Sequence, residues 1–243
     1  MSPSPPAHSR ADADARVEAL LRDLGSRLRR GSGEAARQSG GTRQHPTGLA
    51  SLDALLEGGF PSGRLCEIAG PLSSGRTSIA LALLAQATRA GEWTAWVDVA
   101  DALDPASAEA AGVSLERVLW VRPPGPREAL RACARLLEVR GFALIALDLA
   151  RPAREPERLA AAAWRRLARA AAASGTTLVV LSQQRVTGTA SELAIETKRS
   201  RAHFSAAPAL LEGIEIEACV ARQRAGPAQR VASLRLCASS RAA

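Results

Sequence analysis

Gly70-Pro71-Leu72-Ser73-Ser74-Gly75-Arg76-Thr77 lies between an apolar run, Leu65-Cys66-Glu67-Ile68-Ala69, and a helical pattern extending from Ser74 to Ala90. It fits the phosphate-loop pattern G-x-x-x-x-G-K-[ST] everywhere except at Arg76, where the pattern has lysine. A strand before and a helix after are the context this pattern needs. Glycines allow backbone N–H groups to turn toward phosphate oxygens, and the helix adds the positive end of its dipole. Gly70 through Thr77, together with Ser78, are therefore candidate nucleotide-binding residues. Thr77 is placed to offer its hydroxyl to Mg²⁺, with Asp148, which ends the run FALIALD (142–148), as the acidic partner. The plainer alternative is a Gly-Ser turn with no function. Arg76 is the chemically informative departure, because a planar guanidinium fork does not replace a compact ammonium between terminal phosphates. Charge misplaced by an ångström is costly at a transition state, so weak or no hydrolysis is expected and nucleotide binding stays open.

Working outward from the loop, strands and helices alternate. Thr94–Val99, Val118–Val121, Phe142–Leu149 and Thr177–Gln183 read as strands; Arg127–Arg140 and Glu157–Ala173 read as helices. Continuous apolar strands separated by helices predict an α/β fold with a mostly parallel sheet covered on both faces. After Gln183 a polar stretch runs to about Ala202. The alternating runs 214–220 and 231–237, separated by Gly226-Pro227, then predict a C-terminal antiparallel hairpin. Residues 47–237 form the expected core and 238–243 a tail. Residues 1–12 read as disordered, and 13–30 as an amphipathic helix through Val17, Leu20, Leu21, Leu24 and Leu28. Residues 31–46 read as a flexible linker. That helix either folds back on its own core or docks on a neighbouring subunit.

The chain has 243 residues, 32 basic and 24 acidic, for a formal net charge of +8; 47% are hydrophobic and 23% charged. These values exclude a chain disordered throughout and a collagen-like one. No apolar run approaches the roughly 18 residues of a membrane span. The start Met1-Ser2-Pro3-Ser4-Pro5-Pro6 does not read as a secretory signal. Cys66, Cys133, Cys219 and Cys237 are too scattered for a metal site or disulfide framework, so a reduced, cytoplasmic protein is expected. Lys198 is the only lysine, so the positive charge reads equally as an arginine-rich composition or as a nucleic-acid footprint. Trp93, Trp96, Trp120 and Trp164 read as packing residues; Trp164, beside Arg165 and Arg166, is a candidate partner contact.

Several segments together carry a family resemblance. Pro46-Thr47-Gly48-Leu49-Ala50-Ser51-Leu52-Asp53, Gly58-Gly59-Phe60-Pro61-Ser62-Gly63-Arg64, the loop GPLSSGRTS, WVDVADALDP (96–105) and LVVLSQQR (178–185) resemble, in order, the RecA recombinase core. The resemblance implies a RecA-like phosphate-loop NTPase core from about Thr47 to Leu236, without the C-terminal domain of a housekeeping RecA. It implies an adenine-contacting role for Asp104, a nucleotide-sensing role for Gln183 and the Mg²⁺-side role for Asp148. The activating glutamate of RecA falls at Ala100, with Asp101 adjacent and a weak substitute, and the adenine-stacking aromatic falls at Ser107. ATP-Mg²⁺ is thus the implied cofactor, with the lysine, the base and the stacking platform all altered. Arg222 and Arg224 correspond to residues that reach across a filament interface; the alternative is a pair of solvated arginines. Arg185 to Ala202 fills the slot of the second DNA-binding loop, making Arg185, Lys198, Arg199 and Arg201 candidate contacts to single-stranded DNA. His45 and His203 read as structural or surface residues.

Segment 91–124, with Leu119-Trp120-Val121-Arg122-Pro123, is more similar to ImuA, the divergent RecA-like proteins of damage-induced mutagenesis. That resemblance implies an accessory protein of the SOS response and translesion synthesis with little or no ATPase activity. Its partners would be RecA, a Y-family polymerase-like protein and single-stranded DNA, in a nucleoid-associated, membrane-free setting with self-association open. Two other readings stand beside it: an ATP-dependent strand-exchange enzyme, and a regulatory ATP-binding protein that does not touch DNA.

Overall fold

The computed structural model describes residues 19, 22–23, 43–149, 159–206, 210–224 and 229–237. The calls on 1–12, on nearly all of the 13–30 helix, on 31–42 and on the tail 238–243 lie outside these residues. The first strand, β1 (Gln44–His45), pairs antiparallel with β2 (Phe60–Pro61), and the short helix α1 (Ala50–Leu55) connects them. The linker expected to reach residue 46 therefore gives way to ordered strand by Gln44. Asp53 fixes this entry by accepting hydrogen bonds from Thr47 N–H, Thr47 Oγ1 and Gly48 N–H at 2.7, 2.7 and 2.9 Å.

The remaining elements follow as β3 (Leu65–Ala69), α2 (Arg76–Arg89), β4 (Trp93–Asp98), α3 (Pro105–Ala110) and β5 (Val118–Val121). Next come α4 (Pro126–Val139), β6 (Phe142–Asp148), α5 (Ala161–Ser174), β7 (Thr177–Ser182), β8 (Leu193–Phe204), β9 (Leu211–Gln223) and β10 (Val231–Cys237). They form one eight-stranded sheet in the order β10-β9-β8-β3-β7-β6-β4-β5, parallel from β8 to β5, with β9 and β10 antiparallel. The period of two along each buried strand sorts the core into two layers. Cys66, Ile68, Trp96, Leu144, Ala146, Val179 and Leu181 face α1, α2 and α3. Leu65, Ala95, Val97, Ile145, Leu147, Leu178 and Val180 face α4 and α5.

The expected parallel sheet and terminal hairpin are present. One expectation is corrected: the stretch read as polar up to about Ala202 is mostly β8, which pairs parallel with β3 and antiparallel with β9. The strand is buried at Leu193, Ala194, Ile195 and Thr197, while its charged residues Glu196, Lys198, Arg199 and Arg201 are exposed. Trp164, offered as a partner contact, is only 1% exposed and packs under α5. Trp96 is likewise core, whereas Trp93 and Trp120 are half-buried with Arg117 and Arg122 stacked over their rings. Among the described residues no helix is long and apolar enough to cross a membrane.

His45 is buried with its Nε2 unpartnered, and desolvation pushes its pKa below the usual histidine value against the opposing pull of Glu92. The unfolded chain therefore binds a proton that the folded chain resists. The neutral-histidine contribution is intact above about pH 6.5 and is lost as pH falls below it. Thermal midpoints measured from pH 7.5 to 5 should fall, and His45→Gln should flatten that fall by about 1 kcal/mol of stability per pH unit over the titrating range. Identical slopes in parent and variant would refute the assignment.

Candidate phosphate-loop site

The loop joins the end of β3 to the start of α2, so its backbone lies at the carboxyl edge of the parallel strands, where such sheets place ligands. Gly75 caps α2 with φ +87°, and a Cβ there would come within 2.7–2.8 Å of Leu236 and Ile216. A Cβ on Gly70 would come within 2.4 Å of Thr197 Oγ1 and O. The glycines therefore leave the loop free to turn and let β8, β9 and β10 press against it. Ser74 Oγ and Thr197 Oγ1 share a 2.8 Å hydrogen bond, and Thr197 Oγ1 donates to the Ala69 carbonyl at 3.3 Å. This braces the loop from the β8 side. Thr77 and Ser78 are exposed in the first turn of α2, open to an anion.

Arg76 is turned into the loop. Its side chain is 6% exposed, and Nη1 donates to the Gly70 carbonyl and, at 2.8 Å, to the Pro71 carbonyl, while Nε has no partner. Burial lowers its pKa, and the Asp148 carboxylate partly restores it. Asp148, itself buried, ends β6, two strands from β3. The sequence-predicted loop, Arg76 and Asp148 thus meet in one place.

The other predicted residues are arranged differently. Asp104 is the N-cap of α3, accepting from Ala106 N–H at 3.3 Å, Ser107 N–H at 3.0 Å and Ser107 Oγ at 2.5 Å. Its carboxylate is engaged in holding a helix start. Asp101 is exposed, has φ +53° and lies 3.5 Å from Arg122. The acid that is held in this region is buried Asp98. It accepts from Ala100 N–H at 3.2 Å, Leu103 N–H at 2.9 Å and Trp120 Nε1 at 3.3 Å. Ala100 brings no carboxylate to this turn. Gln183 is exposed at the end of β7. Arg222 is turned inward on its own chain, Nε donating to the Ser191 carbonyl at 3.0 Å, whereas Arg224 is exposed. The register places Lys198 opposite Glu217 and Arg201 opposite Glu215, with His203 Nε2 also 2.8 Å from Glu215 Oε1. Two of the candidate DNA contacts on β8 therefore have acidic neighbours across the ladder.

Glu67 is the site residue that sequence reading missed. Fully buried on β3, its Oε1 accepts from Val186 N–H at 2.6 Å, Thr187 N–H at 3.2 Å and Ser182 Oγ at 3.4 Å; its Oε2 accepts from Thr187 Oγ1. Arg185 Nε lies 3.9 Å from Oε2. Residues 183–192 cross from β7 to β8 over the α5 side of β3, and this carboxylate pins the middle of the crossing. Glu192 N–H on the Leu65 carbonyl at 2.8 Å and Arg224 N–H on the Glu192 carbonyl at 3.0 Å pin its end. The slot expected to hold a long loop through Ala202 is thus a short, tied-down crossover. The one signal for Glu67 in the sequence is a carboxylate inside an otherwise apolar strand next to a phosphate loop.

A glycine loop at the carboxyl edge of a parallel sheet, followed by a helix and faced by a strand-terminal aspartate, defines a phosphate-loop core of the RecA-like kind. The chain belongs to the RecA family: the RecA N-terminal domain matches residues 26–158. It is 36% identical over 155 residues to Protein RecA of Picosynechococcus sp., covering 58% of this chain and 44% of that protein. It is 33% identical over 200 residues to the DNA repair protein recA homolog 1, chloroplastic, of Arabidopsis thaliana, covering 75% of this chain and 46% of that protein. The chain thus spans less than half the length of these relatives. The crystal structure of the RadB recombinase has the same fold, with a TM-score of 0.63 and 21% identity. The match covers 79% of this chain and 96% of that one.

Proposed function

We propose that this protein is an accessory member of the RecA family, of the ImuA kind, that serves damage-induced translesion synthesis without turning over ATP. The observation that supports the reading is the state of the engine. Arg76 is committed to the loop's own Gly70 and Pro71 carbonyls, and the position of the activating base is Ala100. The loop backbone and Thr77 still suit a triphosphate, with Thr77 and Asp148 the residues that would hold Mg²⁺. Bound ATP-Mg²⁺ would supply a γ-phosphoryl group poised for transfer. Nothing at Ala100 activates a water toward it, and Ser107 offers no ring to adenine. On this reading the protein acts in the cytoplasm at the nucleoid through RecA-type surfaces. Its partners are RecA and a Y-family polymerase-like protein. Arg224 faces a neighbour, while Arg185, Lys198, Arg199 and Arg201 contribute to holding single-stranded DNA.

Phosphate release measured with and without single-stranded DNA tests this. Removal of a general base alone lowers rates by about 10²–10⁴. The expected result is turnover at least about a hundredfold below a RecA control, with no stimulation by DNA. DNA-stimulated release within about tenfold of the control would overturn the reading and favour a strand-exchange ATPase. Co-precipitation with RecA and with the polymerase-like partner tests the partner half, and failure to associate with either counts against it.

A further inference from the structure

The helical layer of α4 and α5, on the sheet face opposite α2, carries an excess of arginine that the phosphate-loop site does not use. Arg165, Arg166 and Arg169 are exposed on α5, a 14-residue helix (AAAWRRLARAAAAS) without one acidic residue. At 100° per residue they cluster on the side opposite Trp164, Leu167 and Ala171, which are buried. Three like charges within about one turn repel one another, so this grouping is unfavourable for the free helix. On α4, Arg127, Arg131 and Arg135 recur every fourth residue, all exposed, opposite buried Ala129, Cys133 and Leu136. The two helices pack side by side, as connections between successive parallel strands do. Within the two helices themselves the acidic residues are Glu128, 4.0 Å from Arg131, and exposed Glu138. Six arginines against two glutamates give the pair a net +4, half the +8 of the whole chain.

We propose that the outer face of α4 and α5 binds the phosphodiester backbone of nucleic acid, independently of the loops at the carboxyl edge of the sheet. Successive arginines four apart on a helix rise about 6 Å, roughly two of the 3.4 Å axial phosphate steps of one strand. A guanidinium also meets a phosphate through two parallel hydrogen bonds. The residues between the α5 arginines are leucine turned inward and alanine, so the face has no aromatic or large aliphatic anchor of the kind a protein partner uses. It therefore suits charge-assisted contact with a phosphate backbone. The β8–β9 ribbon contrasts with it, because Lys198 and Arg201 there stand opposite glutamates.

The test is fluorescence anisotropy of the full chain with a labelled single strand and a duplex of equal length, over a range of salt. The parent should bind with a steep salt dependence. The variant R165E/R166E/R169E should lose at least about tenfold in affinity and shed about two to three from the duplex log–log salt slope. R165A/R166A/R169A, which keeps the helix in a residue of highest helical propensity, should lose affinity in the same direction and retain the parent's circular dichroism. Binding of both variants as tight as the parent, no binding by the parent at low salt, or equal competition by polyglutamate of matched charge would each overturn the proposal. Association with RecA is read separately. A parent protein that binds DNA but does not associate with RecA counts against the accessory role and leaves this surface standing.

Discussion

Replacing Glu67 with alanine is expected to lower the thermal midpoint by about 10 °C or more and to open the segment that follows β7. The carboxylate is fully buried and is the shared acceptor for Val186 N–H, Thr187 N–H, Thr187 Oγ1 and Ser182 Oγ. Without it, two backbone N–H groups under the crossover lose their partner, at about 1–3 kcal/mol each, before the cavity is counted. For a chain of this size each kcal/mol moves the midpoint by about 2–4 °C. Glu67→Gln keeps one carbonyl acceptor and should cost roughly half as much. Arg185, 3.9 Å from Oε2, should gain mobility in both. Scanning calorimetry with hydrogen exchange over 183–192 reads the two effects together. A midpoint change under about 2 °C, or unchanged protection at Val186 and Thr187, would show that the crossover holds itself.

This residue also marks how far the sequence could be read. The parallel strands were legible because both faces of each are covered, which leaves runs such as FALIALD and TLVVLS almost without polar residues. The loop and Asp148 were legible because their chemistry is local to a strand end. Glu67 was not, because its partners lie 115 to 120 positions away and only the fold brings them over β3. β8 was misread for a related reason. Glu196, Lys198, Arg199, Ser200 and Arg201 suggest a solvated loop, and the strand is decided by its pairing with β3 and β9. The helices α1 and α3 are six residues each, too short to show a 3.6 period. For α3 the cap was readable, since Asp104-Pro105 is an N-cap followed by proline at the first helical position. The resemblance implies an adenine contact at Asp104, and the local geometry shows the same carboxylate accepting from Ala106 and Ser107.

The substitution at the phosphate loop makes the last prediction, a coupling between Arg76 and Asp148. A guanidinium left with 6% of its surface exposed is costly to desolvate, which is why its pKa is lowered, and the nearby Asp148 carboxylate offsets part of that cost. The carboxylate thus compensates the guanidinium in part. Arg76→Met should destabilise by about 1–3 kcal/mol, because the Gly70 and Pro71 carbonyls lose their donor. Asp148→Asn should cost about 1–2 kcal/mol by removing the charge that offsets part of the guanidinium's desolvation. The double variant should be less destabilised than the two singles together by about 1–2 kcal/mol. Urea denaturation of the four proteins gives that number directly. Additive losses would mean that Arg76 does not lean on Asp148. The guanidinium would then be free to leave the loop for a terminal phosphate, and the case for a disabled engine would rest on Ala100 alone. A clear coupling means that any triphosphate must compete with the chain's own carbonyls and carboxylate for Arg76, a competition that a slender lysine in the same turn, with no fork to commit, would enter on easier terms.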